Sequence, residues 1–274
     1  MTVNNLTALA AGIQQSLSQQ NTRVATAISQ IVSGNRLVSA STDVAALATA
    51  TSLQTQTSGL RNANLNISQA ASLLQVADGG AGQIGDALDR LQALAVQAGN
   101  GSLSDADRGA LNQEFQALTQ EIDRVSNSTR FNNTNLLDGS LANGLNFQIG
   151  GDAGDQVSLT IGGLSSADLF AGTTPDISTA AVAQTALSSL QTARNTVTEA
   201  RADIGAFQQG LGFAAATIET AIQNQEAARA ELADADIAAL STESAQARVQ
   251  QQASISLLAQ TNRLSENLLS LLNE

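Results

Sequence analysis

The chain has 274 residues and a formal charge of −12, and its twelve basic residues are all arginine. It contains no histidine, cysteine, tryptophan or tyrosine and one proline, and its 43% of hydrophobic residues is rich in alanine, with aromatics at 2%. The common nucleophile–base pairs and most transition-metal sites are thereby excluded, an acidic chain without a basic patch is a poor partner for nucleic acid or an anionic membrane, and no apolar run is long enough to span a bilayer.

The N-terminus, Met1-Thr2-Val3-Asn4-Asn5, has no charged or apolar leader region, and the first basic residue is Arg23. No cleaved secretory signal is therefore expected. Residues 1–32 carry apolar positions Leu6, Leu9, Ile13, Leu17, Val24, Ile28 and Ile31 among Gln, Ser, Asn and Thr, the pattern of an amphipathic helix. Ser33-Gly34-Asn35 reads as its stop.

Residues 43–98 hold a long heptad. One register runs Leu53, Leu60, Ile67, Leu74, Ala81, Leu88, Ala95, and the other Gln56, Ala63, Ala70, Ala77, Ile84, Leu91, Ala98. This 3-4 spacing places one apolar seam along a helix. Glycines 79, 80, 82 and 85 interrupt it. They either weaken or bend the helix, at about 1 kcal/mol each relative to alanine, or mark close contacts along a continuous one. Asn100-Gly101-Ser102 predicts a turn, and Ser104 with Asp107 predicts a capping box opening a helix with an apolar face of Leu111, Phe115, Leu118, Ile122 and Val125.

From about 130 to 175 glycine, asparagine and aspartate become frequent and the period falls to two. Leu145, Phe147 and Ile149, then Val157, Leu159 and Ile161, predict a β-hairpin. Residues 178–232 return to helix with the seam Leu190, Ala193, Val197, Ala200, Ile204, Phe207, Leu211, Ala214, Ile218. A last amphipathic stretch runs through Val249, Ala253, Leu257, Leu264, Leu268 and Leu271.

The order helix, long helix, β segment, long helix, helix is a palindrome. It predicts a mainly α fold: a long antiparallel helical rod or coiled coil, terminal helices paired, and a small β-hairpin tip at the far end. Each long helix would measure roughly 65–70 Å. Seams so rich in alanine bury little surface per residue, so the ends are expected to depend on packing against copies of the chain.

Candidate chemistry is sparse. Asp234 and Asp236, like Asp105 and Asp107, suit solvated helix starts. Asp152 and Asp155 among glycines lack calcium-loop spacing, and the glycines at 79–85 have the wrong spacing and context for a phosphate cradle. Asn127-Ser128-Thr129 and Asn132-Asn133-Thr134 match an N-glycosylation pattern that often occurs by chance.

Several ordered blocks resemble bacterial flagellin: Ser33-Gly34-Asn35-Arg36-Leu37 with Ala45-Ala46-Leu47-Ala48; Leu73-Leu74-Gln75-Val76-Ala77; Leu94-Ala95-Val96-Gln97-Ala98; Glu121-Ile122-Asp123-Arg124-Val125; Leu136-Leu137-Asp138-Gly139; Arg201 with Ile204-Gly205-Ala206; Ala233-Asp234-Ala235-Asp236; and Leu268-Leu269-Ser270-Leu271-Leu272. The likeness covers roughly 1–140 and 180–274 and departs from the family pattern at Asn35, Thr42-Asp43, 230–233 and Asn273-Glu274.

The resemblance implies a non-enzymatic structural subunit without cofactor that polymerises into the extracellular filament of the bacterial flagellum. Residues 1–40 with 235–274 would be the terminal coiled-coil layer at the filament's inner core, and 41–234 the rod, with its β tip at about 130–175. Leu6, Leu9, Ile13, Leu17, Leu257, Leu264, Leu268 and Leu271 would turn to neighbouring copies. Implied partners are the chain itself, an export chaperone, the filament cap and hook-junction proteins. Toll-like receptor five is another, through Arg90, Leu94, Gln97 and Glu114, of which the first three share a helix face at i, i+4 and i+7. Two alternatives stand beside this reading: a hook–filament junction protein, and a cell-surface binding protein that borrows the fold.

Overall fold

The computed structural model describes the backbone of residues 2–41 and 43–272 and the side chains of 7–41 and 43–267. The chain forms two compact units, Met1–Thr55 with Asn224–Glu274 and Gln56–Gln223. The division falls inside two long helices, α2 (Val44–Ala98) and α5 (Ala180–Ala233).

In the central unit the heptad of α2 is buried without a gap: Ala63, Ile67, Ala70, Leu74, Ala77, Ala81, Ile84, Leu88, Leu91, Ala95 and Ala98 all lie in one core. Leu190, Ala193, Val197, Ile204, Leu211 and Ile218 of α5 meet them from the antiparallel direction. Arg201 Nε reaches Asp78 Oδ1 at 2.8 Å and Arg194 Nη1 reaches Asp89 Oδ1 at 2.7 Å across the pair. Both bonds are half-exposed, so they fix register more than they stabilise.

Helix α3 (Asp105–Ser128) folds back on α2 and adds Phe115, Ile122 and Val125 to the same core. With helices on two sides, the buried face of α2 is wider than a two-stranded seam and takes in Leu73 and Leu94 as well. The capping box forms as the sequence predicts: the Ser104 hydroxyl accepts from Asp107 N, and Asp107 Oδ2 accepts from Ser104 N.

The glycines at 79, 80, 82 and 85 do not break α2, and the helix is continuous from Val44 to Ala98. A Cβ on Gly80 would lie 2.6 Å from Thr129 Oγ1 and 2.8 Å from Leu137 Cδ1. Glycine is there because the chain leaving α3 crosses at that level.

After α3 come a two-residue pairing of β1 (Arg130–Phe131) with β2 (Thr134–Asn135) and a 3₁₀ turn at Ser140–Asn143. The β3–β4 hairpin (Leu145–Gln148 and Gln156–Leu159) follows. Its register sets Leu145 opposite Leu159 and Phe147 opposite Val157, as the alternation predicts. Its place differs from the far end expected for it. Asn66 Nδ2 donates to Gln148 O at 3.0 Å, and Gly59 lies beside Gly151, so the hairpin packs on the first turns of α2 in this unit, away from the turn at 99–104. The reason is α3, which carries the chain back down α2 before the β segment begins. Gln116 Nε2 donates to Pro175 O and Asn112 Oδ1 accepts from Ile177 N, guiding the return to the start of α5. Between them α4 (Ser166–Leu169) is tied to α3 by Asp123, which accepts from Ser166 N and Oγ at 2.8 Å each.

In the terminal unit α1 (Thr2–Ser33) packs against α6 (Ile237–Leu272). α1 ends at Gly34, in the left-handed region at φ +65, as the sequence stop predicts. Arg36 N donates to Ala233 O at 2.7 Å, Ala235 N donates to Gly34 O at 3.1 Å, and Arg36 Nη2 donates to Leu232 O at 2.7 Å. These bonds clasp the two connectors together over a small core of Leu37, Ala46, Ala50 and Ala233.

Candidate assembly surfaces

Helices α1 and α6 divide their residues unusually. On α1 the inward stripe is Ala10, Ile13, Leu17, Gln20, Val24, Ala27 and Ile31, at 3-4 spacing. On α6 the inward stripe is Leu240, Ser244, Ala247, Gln251, Ser254, Leu258, Thr261 and Ser265, mostly small or polar. Gln251 Nε2 donates to Asn21 Oδ1 at 2.6 Å across the pair, and the hydroxyls of Thr261 and Ser265 turn back onto carbonyls of their own helix. Gln20 Oε1 is buried there without a partner. Such a contact is satisfied only in part and buries little apolar area.

Two leucines of α6, Leu240 and Leu258, belong to that inward stripe, and two others point elsewhere. Leu257 is 51% exposed and Leu264 55% exposed, and they share a side of the helix about 100° from the inward stripe. Leu9 on α1 is 55% exposed, while Ile13 and Leu17 are half-buried between the helices. The eight residues expected in a polymer core thus separate: Leu9, Leu257 and Leu264 are open, Ile13 and Leu17 are engaged within the chain, and the side chains of Leu6, Leu268 and Leu271 lie outside the described residues.

The second expected surface lies on α2 and α3. Arg90 Nε donates to Glu114 Oε1 at 2.9 Å, and Nη2 reaches the same oxygen at 2.5 Å, with both side chains about half-exposed. Gln97 is exposed one helical stretch further on. Leu94 does not join them: it is 1% exposed and packed in the core. The i, i+4 relation to Arg90 is real, but Leu94 is also three residues past Leu91 and faces α3. The face consists of Arg90, Gln97 and Glu114, with Leu94 as its floor.

Two features escape the heptad reading. Arg108 is buried at 7% exposure, where its Nε donates at 2.9 Å to Ala98 O, a carbonyl that α2 leaves open at its C-terminus, and its Nη2 donates at 3.0 Å to Asn100 O in the turn that follows. Its only sequence signal is an arginine one turn into α3. Phe213 is 75% exposed on α5. It stands between the seam positions Leu211 and Ala214 and so points out of the core.

Asp236 Oδ1 accepts from Ala238 N and Ala239 N, which makes it the start of α6. Asp155 Oδ2 accepts from Asp152 N within a turn. Among the described residues no cluster of His, Cys, Asp or Glu is arranged to hold a metal, and no helix is long and apolar enough to cross a membrane.

Residues 3–142 match the bacterial flagellin N-terminal helical region, and residues 187–272 match the bacterial flagellin C-terminal helical region. A flagellin of Halalkalibacterium halodurans is 33% identical over 90% of this chain and 90% of its own length. A flagellar filament 30.7 kDa core protein of Treponema maltophilum is 31% identical over 94% of this chain and 95% of its own. Among solved structures, Bacillus cereus flagellin superposes with a TM-score of 0.51 at 29% identity, covering 56% of this chain and 88% of that one. A putative flagellar hook-associated protein of Vibrio parahaemolyticus gives 0.61 at 14% identity over 70% and 100%, a likeness of fold alone.

Proposed function

This chain belongs to the bacterial flagellin family, and on that premise we propose that it is a structural subunit that polymerises with copies of itself into an extracellular flagellar filament serving motility. The observation that carries the reading is the division of α6. Its inward side is mostly serine, threonine, glutamine and alanine, with Leu240 and Leu258 among them, while Leu257 and Leu264 are left facing outward. A helix that leaves two leucines facing away from its own chain is completed by another copy, because apolar surface of this kind gains about 25 cal/mol per Å² when covered. Leu9 on α1 offers the same from the other helix of the pair.

Heterologous contacts that do not close into a ring build an open helical polymer, and a surface distinct from the one it meets suits such contacts. Before assembly the same outward leucines suit an export chaperone that would shield them. The ends of a filament would meet a cap and hook-junction proteins. Arg90, Gln97 and Glu114 form a half-exposed polar face suited to recognition by Toll-like receptor five, in monomer more than in polymer, with Leu94 supporting it from below.

The test is seeded polymerisation of the purified chain followed by electron microscopy. Long tubular filaments are expected. A chain that stays monomeric on seeds that elongate a related flagellin would overturn the proposal.

A further inference from the structure

The sequence contains two Asn-Gly pairs, Asn100-Gly101 and Asn143-Gly144. We propose that Asn100 is a site of spontaneous covalent modification, at which the chain converts its own asparagine to aspartate and isoaspartate, and that Asn143 is protected.

The reaction needs three things: a free backbone amide after the asparagine, a side-chain amide carbon close to it, and polarisation of both. Asn100 and Gly101 are exposed in the turn between α2 and α3. Among the described residues Gly101 N donates to no acceptor, and a Cβ on Gly101 would meet nothing within 4 Å. Asn100 Oδ1 accepts from Ser102 N at 3.1 Å and Ser102 Oγ at 3.0 Å. These bonds turn the side chain toward the backbone that follows and aim two donors at the oxygen where negative charge develops.

The nucleophile is activated from the other side. The Gly101 amide shares its peptide group with Asn100 O, and that oxygen accepts from Leu103 N at 3.2 Å and from the guanidinium of Arg108 through Nη2 at 3.0 Å. A cation on the carbonyl oxygen stabilises the deprotonated amide, where the negative charge resides on that oxygen.

The steps balance. Gly101 N gives up its proton and bonds to Asn100 Cγ. The Cγ–Nδ2 bond breaks, and ammonia leaves with the proton. Water then opens the five-membered imide. Cleavage at Cγ gives aspartate, and cleavage at the backbone carbonyl gives isoaspartate, whose main chain runs through Cβ. The net change is one water consumed and one ammonia released, with no oxidant.

Asn143 lacks the free amide and the charged donor. Gly144 N is engaged with Leu141 O at 3.0 Å, and Gly144 is fixed at φ +86 with Ser158 Oγ against the position of a Cβ. No side chain among the described residues donates to Asn143 O.

The test incubates the full chain, folded, in warm and mildly alkaline buffer and follows both sites by peptide mass mapping with isoaspartate detection. Asn100 is expected to convert roughly tenfold faster than Asn143 or more, a difference of about 1.4 kcal/mol in barrier. Arg108→Gln, verified as folded by circular dichroism, is expected to slow Asn100 several-fold and leave Asn143 unchanged. In denaturant the two rates are expected to converge. Equal rates in the folded chain, or an Asn100 rate that ignores Arg108→Gln, would overturn the inference.

Discussion

Replacing Leu264 by alanine separates the two sides of α6. The side chain is 55% exposed in the single chain. Fully burying a leucine is worth about 1.5–3 kcal/mol, so covering the exposed part in a polymer contributes about 0.8–1.6 kcal/mol per subunit. At about 1.4 kcal/mol per tenfold, Leu264→Ala should raise the critical concentration for polymerisation about 4- to 15-fold. Its effect on the monomer should stay within about 0.5 kcal/mol, as for surface substitutions. Leu258→Ala is the control. Leu258 lies on the inward side of the same helix and is half-buried, so its loss should cost the monomer about 1–2 kcal/mol, part of the value for a fully buried leucine. Critical concentrations come from sedimentation of polymer at equilibrium, and monomer stability from thermal melts followed by circular dichroism. Leu264→Asp should prevent polymerisation, since an unpaired carboxylate in an apolar contact costs several kcal/mol. If Leu264→Ala polymerises within about twofold of the parent concentration, the outward leucines do not carry the contact.

Arg108→Ala should lower stability by about 2–4 kcal/mol at constant denaturant slope, because two hydrogen bonds from a charged donor are lost while the bond to the exposed Asp105 counts for little. A loss below about 1 kcal/mol would mean water replaces the guanidinium at the end of α2. The Ser104 hydroxyl and then its backbone N–H hold the Asp107 carboxyl below its ordinary range. Its folded pKa is therefore lower than the unfolded one, so the cap's contribution is present above the ordinary carboxylate range and is lost as pH falls through the lowered value. In an NMR titration Ser104→Ala should return Asp107 upward, and an unmoved titration would remove the capping box as the cause. Phe213→Ser should leave monomer melting within about 0.5 kcal/mol and weaken polymerisation, and polymer growth unaffected by it would leave Phe213 without a role in assembly. Monomer should activate a Toll-like receptor five reporter, and Arg90→Ala with Glu114→Ala should reduce the response. An undiminished response from the double variant would eliminate that face.

The seam of the central unit is legible because it obeys one rule over a long distance. Each heptad position from Ala63 to Ala98 is buried, since a helix with neighbours along its whole length must turn one stripe inward. The hairpin register is legible for the same reason at period two. What the pattern does not contain is the third partner. Nothing in the heptad of α2 announces that α3 will cover Leu73 and Leu94, so a residue counted as part of an outer face lies in the core. The same missing partner misplaces the hairpin, because only the backward run of α3 determines where residues 145–159 meet α2. Arg108 is illegible for another reason: its ligands are backbone carbonyls, which every sequence possesses.

The terminal helices were legible as helices but ambiguous in facing. Amphipathic spacing says that one side of α6 is apolar, and the usual inference turns that side toward the partner within the chain. Here Ser244, Gln251, Ser254 and Thr261 occupy most of the inward side beside Leu240, Ala247 and Leu258, and Leu257 and Leu264 are outside it. An arrangement that seals its own leucines would be more stable as a monomer and would have nothing left to offer a neighbour. A polar inward seam keeps the α1–α6 pair weak and leaves the larger apolar gain unrealised until another copy arrives, so folding of the ends and growth of a polymer draw on the same surface. The central unit, with a continuous core through α2, α3 and α5, needs no such help. Stability within the chain and association between chains are thus assigned to different segments, and a substitution can alter one and leave the other in place.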